Sequence, residues 1–323
     1  MQRRHVLTAL VSSAGVITSL RAQAQGFPAK PVRIIVGYTA GGAVDIIARA
    51  LAQQLQASLL QPVIVENKPG AGTNIANRAL IDSAADGHTL MLAANALAAN
   101  VSLYQPAPYD LARDITPIAL VGRVPVVLAV AAASPLGTLA AFITAAKASA
   151  KGITYATPGN GSTPHLAVEL FERAAGVSLT HVPYKGGAQA ITDAVGGHVQ
   201  AVAVNALEVQ PHVKSGKLRV LAVMTPRRSA IFPDVPTVAE SGFAGFEAAV
   251  WYGLIAPAGV PAPIVAKLHA EVQRALASDD LKGRLASAGG EVLPGPVEQL
   301  TSLLSAERSR YEKLIRDARI QPD

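Results

Sequence analysis

Val32-Arg33-Ile34-Ile35-Val36-Gly37-Tyr38-Thr39-Ala40-Gly41-Gly42-Ala43-Val44-Asp45-Ile46-Ile47-Ala48-Arg49-Ala50-Leu51 changes its hydrophobic period midway. Residues 32–37 form a short apolar run rich in Val and Ile, the composition of a buried strand. After the paired glycines, Val44, Ile47, Ala48, Leu51 and Leu55 recur every three or four residues, which predicts a helix over 43–59 with one apolar face. Strand, glycine loop and amphipathic helix in that order is how parallel sheets covered by helices are written.

The same unit recurs along the chain, so the expected fold class is α/β. A strand over 63–66 ends in the turn cluster Asn67-Lys68-Pro69-Gly70, and Thr73 or Asn74 is placed to cap a helix running to Leu80. A third strand over 89–93 leads into a loop holding Asn95. A β-prone stretch over 118–130, broken by Gly122 and Pro125, is where the chain is expected to leave one lobe for another. The second lobe then holds helices over 139–150, 163–176 and 188–195 and strands over 153–157, 179–182, 199–204 and 218–223. Pro233, Pro236 and Gly242 mark a loop-rich passage before a returning strand over 250–256. Helices over 262–277, 280–288 and 296–318 complete the chain. The expected division is a first lobe of 25–123 plus 249–323 and a second lobe of 124–248.

Half of the 323 residues are apolar, while aromatics make up 4% and charged residues 15%. At this length one core usually gives way to two. The formal charge of +6 is scattered along the chain and aromatics are few, so nucleic acid is not an expected partner. Arg3 and Arg4 precede an apolar stretch over 6–20, and Ala22-Gln23-Ala24 supplies the small residues of a cleavage site, which reads as a secretory signal peptide over 1–24. Removing Arg3, Arg4 and Arg21 with it lowers the charge from +6 to +3. A membrane span needs about 20 apolar residues, and Ser12, Ser13, Thr18 and Ser19 dilute a run already too short. The chain has no cysteine, hence no disulfide, thiolate metal site or lipid-bearing cysteine. The mature protein is expected in the periplasm.

Motifs of chemistry are weak. There is no G-x-S-x-G elbow, P-loop or H-E-x-x-H, and the seven histidines lack metal-ligand spacing. Gly70-Ala71-Gly72 starts like a dinucleotide fingerprint, but Ile75 stands where a third Gly or Ala is required. No metal, cofactor or catalytic residue is therefore expected. A periplasmic hydrolase or dehydrogenase on the same architecture is the competing reading, and no nucleophile, base and orienting group can be named for it.

Two loops are candidates for anion binding, because helix starts present unpaired amides and a positive dipole end beyond the carboxyl ends of strands. One is the stretch containing Tyr38, Thr39, Ala40, Gly41, Gly42 and Asp45. The other is Thr157-Pro158-Gly159-Asn160-Gly161-Ser162-Thr163-Pro164-His165, in the other predicted lobe, with Pro164 suited to a first helical turn. Asp45 either orders the first loop or accepts a hydrogen bond from an amine or hydroxyl of the ligand. His165 either fixes the second loop or touches the ligand. Asn205, just past a strand end, can donate and accept at the cleft, and Asn95 is a further candidate. Neither glycine loop holds an Arg, which favours recognition of a carboxylate by amides, hydroxyls and water.

At these residues the chain resembles the substrate-binding proteins of tripartite tricarboxylate transporters, also called Bug or TctC-like extracytoplasmic receptors. The resemblance covers nearly all of the mature chain. It runs through Pro31-Val32-Arg33-Ile34-Ile35-Val36, Gly41-Gly42 with Asp45 and Ala48-Arg49, and Val65-Glu66-Asn67-Lys68-Pro69-Gly70-Ala71-Gly72. It continues through Asp86-Gly87, Gly159-Asn160-Gly161-Ser162 with Pro164-His165, and His181-Val182-Pro183-Tyr184-Lys185-Gly186, then Gly216-Lys217-Leu218-Arg219, Phe232-Pro233-Asp234-Val235-Pro236-Thr237 and Gly253-Leu254 with Ala256-Pro257. The resemblance implies a two-lobed Venus-flytrap fold of type II-like kind, with a cleft between the lobes. It also implies a carboxylate held by the loops carrying Gly41-Gly42 and Gly161-Ser162, partly through ordered waters. The expected partners are a small carboxylate ligand and the membrane permease subunits of such a transporter, or a sensor protein, with the receptor itself a monomer. The family's pattern often has Asp where this chain has Val204, Pro within the stretch Thr39-Ala40, and Ser or Thr at Ala43. These departures leave fewer hydroxyls at the pocket and point to a less polar ligand, such as an aromatic monocarboxylate.

Overall fold

The computed structural model describes residues 26–322 other than 151 and 288, and the signal-peptide reading over 1–24 lies outside the described residues. The first apolar run becomes strand β1 (Val32–Val36), with Arg33 alone turned outward. Gly42 caps helix α1 (Ala43–Leu59), whose Val44, Ile47, Ala48, Leu51 and Leu55 are buried as the 3.6-residue period requires. Each of these Val, Ile and Leu side chains contributes about 1.5–3 kcal/mol by leaving water, and the Ala48 methyl less. Strand β2 (Val63–Asn67), a short 3-10 turn (Ala71–Thr73), helix α2 (Asn74–Ile81) and strand β3 (Thr89–Ala93) follow. Strand β1 pairs in parallel with β2 on one side and β3 on the other.

The loop expected around Asn95 is instead the start of helix α3 (Ala96–Leu103). Ala96, Leu97, Ala98, Ala99, Asn100 and Leu103 are all buried, so the segment is apolar around its circumference and carries no amphipathic period to read. The break expected at Gly122 and Pro125 is also absent, because strand β4 (Ile115–Ala131) runs through both.

Beyond β4 come α4 (Leu139–Ala148), β5 (Thr154–Thr157), α5 (Thr163–Ala175), β6 (Thr180–Pro183), α6 (Gly187–Val195), β7 (Ala201–Asn205), α7 (Ala206–Lys214) and β8 (Leu218–Val223). Strand β9 (Ala249–Pro257), α8 (Ala262–Ala277), α9 (Asp279–Ser287), β10 (Glu291–Val292) and α10 (Val297–Ala318) close the chain. Helix α7 lies where the sequence reading assigned no element. It carries Pro211 inside, a residue that removes a backbone donor and normally ends a helical pattern.

Strand β4 serves two sheets. From Ile115 to Pro125 it pairs antiparallel with β9, and from Val126 onward with β7 and β8. The first sheet runs β2-β1-β3-β9-β4 and the second continues β4-β7-β5-β6, with β10 and β8 also against β4. Where β4 changes sheets, the Met224 N–H donates to the Val126 carbonyl at 2.9 Å and the Ala248 N–H to the Met224 carbonyl at 2.7 Å, which laces the outgoing and returning chain together. The fold is thus a two-lobed α/β architecture. One continuous apolar cluster includes Ile34 and Leu51 in the first lobe and Leu128, Phe142 and Tyr155 in the second.

Candidate functional site in the cleft between the lobes

Strands β1, β5, β6 and β7 each deliver the chain to a helix start, α1 from the first lobe and α5, α6 and α7 from the second. Helix starts beyond strand carboxyl ends are where open α/β sheets gather ligands. Two backbone N–H groups of the first lobe donate to the second here. The Thr39 N–H donates to the Lys185 carbonyl at 3.2 Å, and the Ala43 N–H donates to the Glu208 carboxylate at 2.5 Å. Gly186 and Gly187 allow this approach. A Cβ on Gly186 would lie 2.1 Å from the Thr39 hydroxyl, and one on Gly187 would lie 1.9 Å from Glu208 Oε2.

Asp45 organises the first loop. Its Oδ2 accepts from the Gly41 N–H at 3.0 Å and from Arg49 Nε at 2.9 Å, and its Oδ1 accepts from Asn67 Nδ2 at 2.9 Å. Asn67 also donates to the Tyr38 carbonyl at 3.0 Å, which pins the loop from the neighbouring strand. Burial works against the charge on Asp45, but the donors on Arg49, Gly41 and Asn67 outweigh it and hold the carboxyl below its ordinary value.

His165 does the same for the second loop. Its Nδ1 accepts from the Gly161 N–H at 3.2 Å, so the ring proton sits on Nε2, 3.5 Å from Glu169. Its backbone N–H donates to Ser162 Oγ at 3.4 Å, the N-cap of α5. The ring stacks on His181 at a centroid distance of 4.0 Å. Burial and the neighbouring imidazole push His181 down to about 2, so the stacked pair does not carry two charges. Thr157 Oγ1 lies 2.6 Å from His181 Nε2 and accepts from the Gly159 N–H at 3.1 Å.

Between the loops lies a cavity of about 20 Å³, room for about one water molecule. Tyr38, Gly42 and Ala43 line it from the first lobe, and Ser162, Asn205 and Glu208 from the second. Of the residues singled out in the sequence, Tyr38, Gly42, Ser162 and Asn205 therefore meet at one cavity. Thr39 forms the seam, Ala40 and Gly41 sit exposed at the loop tip, and Asp45, Thr157, Gly161 and His165 shape the loops. Asn160 reaches out of the second lobe to donate to the Gln321 carbonyl at 3.3 Å.

Asn95, a candidate from the sequence, is not among the residues that line this cavity. Its Nδ2 donates to Tyr311 Oη at 2.8 Å and to Glu307 at 2.9 Å, and its Oδ1 accepts from the Trp251 N–H at 3.1 Å. That amide ties β9 to α10. Trp251 likewise is core, donating from Nε1 to Glu307 at 3.3 Å.

Glu208 is the site residue that sequence reasoning missed. It is only 9% exposed. Oε1 accepts from the Ala43 N–H and from Asn205 Nδ2 at 3.4 Å, while Oε2 has no protein partner. Burial pushes its carboxyl up to about 7, against the lowering effect of the Ala43 and Asn205 donors. An acid three residues past the strand-end Asn205 was the available signal, and it was hidden because no helix was assigned there. Among the described residues no group of three or more His, Cys, Asp or Glu side chains could hold a metal ion. No helix among them is long and apolar enough to cross a membrane.

A sequence profile described as the tripartite tricarboxylate transporter family receptor matches residues 47–320. Protein BugT of Bordetella pertussis is 36% identical over 314 residues, covering 97% of this chain and 96% of its own. A protein of R. palustris solved with adipate superposes with a TM-score of 0.88 at 34% identity, over 92% of this chain and 100% of its own. MatC from Rhodopseudomonas palustris with bound malate gives 0.85 at 33% identity, over 90% of this chain and 100% of its own.

Proposed function

This chain belongs to the tripartite tricarboxylate transporter family of receptors, and from that premise we propose that its cleft captures a small carboxylate-bearing solute for delivery to membrane permease subunits. As a member of that family it is a solute-binding receptor. The observation that carries the reading is the convergence of the Tyr38–Gly42 loop and the Ser162 loop, from opposite lobes, on one cavity. A ligand carboxylate at the start of α5 would be met by first-turn amides, the Ser162 hydroxyl and the positive end of the helix dipole. A first lobe of 25–123 plus 249–323 and a second of 124–248 are part of this reading, supported by the change of strand partner at Pro125 and Val126. Closure of the lobes on the ligand is then a hinge motion about these two crossing segments. The solved relatives holding adipate and malate support a carboxylate as the ligand class.

The protein performs no chemistry in this reading. Ser162 and His165 share the cavity wall's loop, but the imidazole acceptor nitrogen takes the Gly161 N–H rather than the Ser162 hydroxyl. Without a base on its hydroxyl, Ser162 is not an activated nucleophile. Working in the periplasm, the protein would be exported with residues 1–24 removed, and would present its ligand to the permease or to a sensor protein.

Thermal-shift screening of the mature protein against mono-, di- and tricarboxylates tests this reading. A ligand that binds only the native state adds about 2.7 kcal/mol at one hundred times its Kd. A clear rise in melting temperature with a few related acids, reduced in Ser162→Ala, is expected. No rise with any carboxylate would overturn it.

A further inference from the structure

We propose that Glu208 and Asn205 form a subsite for an ammonium group, so that the solute taken by this receptor is an amino-acid-type zwitterion whose carboxylate faces the start of α5. This rests on the receptor reading above and names its ligand class.

Four observations carry it. Glu208 reaches from α7 of the second lobe to the first amide of α1 in the first lobe, so the positive start of α1 already faces a carboxylate of the protein itself. A second anion brought to that amide would meet Glu208, whereas a cation would be attracted to it. Two buried acceptor atoms of residues that line the cavity, Glu208 Oε2 and Asn205 Oδ1, have no protein donor. Asn205 is 4% and Glu208 9% exposed, so these acceptors are cut off from bulk water. A buried acceptor without a donor is costly, and an ionised ligand carboxylate carries no donor while an ammonium carries three.

The third observation is the character of the surroundings. The phenols of Tyr38 and Tyr252, the Asn205 amide and the Ala43 backbone are the groups that interact with Glu208, and none is a cation. Lys185, in the turn before α6, is exposed. Fourth, the chain makes room for this carboxylate: Gly187 stands where any side chain would collide with Oε2. An ammonium placed here would also draw the raised carboxyl back to its ionised form, so that binding near neutral pH releases a proton.

The test is isothermal titration calorimetry on the mature protein at pH 7, with acids paired by the presence or absence of an amine. The pairs are aspartate and succinate, glutamate and glutarate, 4-aminobutyrate and butyrate, and phenylalanine and 3-phenylpropionate. Each is titrated in two buffers of different ionisation enthalpy, and repeated on Glu208→Gln, whose fold is checked by circular dichroism. The amine-bearing member of the bound pair is expected to bind at least about tenfold tighter and to release protons. Glu208→Gln, which keeps the Ala43 contact, loses most of that preference and the proton release. Equal or tighter binding of the amine-free acids, or an amine preference unchanged in Glu208→Gln, overturns the subsite and leaves the receptor reading in place. No binding by any member of any pair overturns both.

Discussion

The Ala43 amide and the Glu208 carboxylate lie 2.5 Å apart across the cleft although 165 residues separate them in sequence. One belongs to the first turn of α1 and the other to the first turn of α7, so the contact exists only while the lobes are closed. Its environment gives it a pH signature. Burial raises the Glu208 carboxyl from 4.5 to about 7, which means the closed native state keeps a proton that the unfolded chain releases. Stability from this group is fully present below pH 4.5 and is lost as pH rises through about 7, with a ceiling on the order of 3 kcal/mol. Glu172, pushed to about 7 by its own burial, adds a slope of the same sign. Melting curves at pH 5 and pH 8 should therefore show a smaller loss in Glu208→Gln than in the wild type. Equal losses would contradict the assignment.

Gly187→Ala tests the space around that carboxylate. The added methyl would stand 1.9 Å from Glu208 Oε2, a distance the closed seam does not tolerate. Glu208 is displaced from Ala43, and ligand affinity is expected to fall by about tenfold or more. The double variant Gly187→Ala with Glu208→Ala relieves the collision and should melt higher than Gly187→Ala alone. A single variant with wild-type affinity would show that Glu208 need not sit at Ala43.

Asp45→Asn should weaken every ligand by a similar factor. Both carboxylate oxygens are taken by Gly41, Arg49 and Asn67, so the residue acts on the loop rather than on the solute. Loss of the charge-assisted bonds costs about 2 kcal/mol of stability. Because the folded carboxyl is held low, the wild-type advantage is present at neutral pH and disappears as pH falls below the ordinary carboxylate value. Calorimetry with acids that carry or lack an amine checks the first point, and a selective loss for the amines would place Asp45 in direct contact.

Asn95→Ala should unfold more easily and bind as before. Its amide joins Tyr311, Glu307 and the Trp251 backbone in the core between β9 and α10. Leaving such buried partners unmatched costs about 1–3 kcal/mol. Urea midpoints and ligand titrations separate the two effects, and an affinity loss at unchanged stability would return Asn95 to the ligand site.

Much of the fold was legible because its signals are local. The helix expected over 43–59 forms as Ala43–Leu59, the strand over 218–223 as Leu218–Val223 and the helix over 262–277 as Ala262–Ala277. Each has a clear period and a clear stop. Helix α3 was invisible because burial on all sides erases the period, and α7 because Pro211 resembles a terminator. The two glycine loops could be found from helix-start chemistry, but the acid that faces them was missed with its helix. Glu208 acquires its meaning only through a contact between lobes, and its pairing with Ala43 has no trace in the local pattern. Strand β4 shows the same limit: Gly122 and Pro125 read as breaks, while Gly122 follows a shift of register with β9 and Pro125 pairs in step with Ala249.

Native mass spectrometry of the mature protein, purified without added ligand, tests the central claim most directly. A small carboxylate retained at one per chain, released on mild activation and lost in Ser162→Ala, is the predicted result. A retained molecule with no carboxyl group, or one that survives unchanged in Ser162→Ala, would contradict the capture of a carboxylate between these two loops.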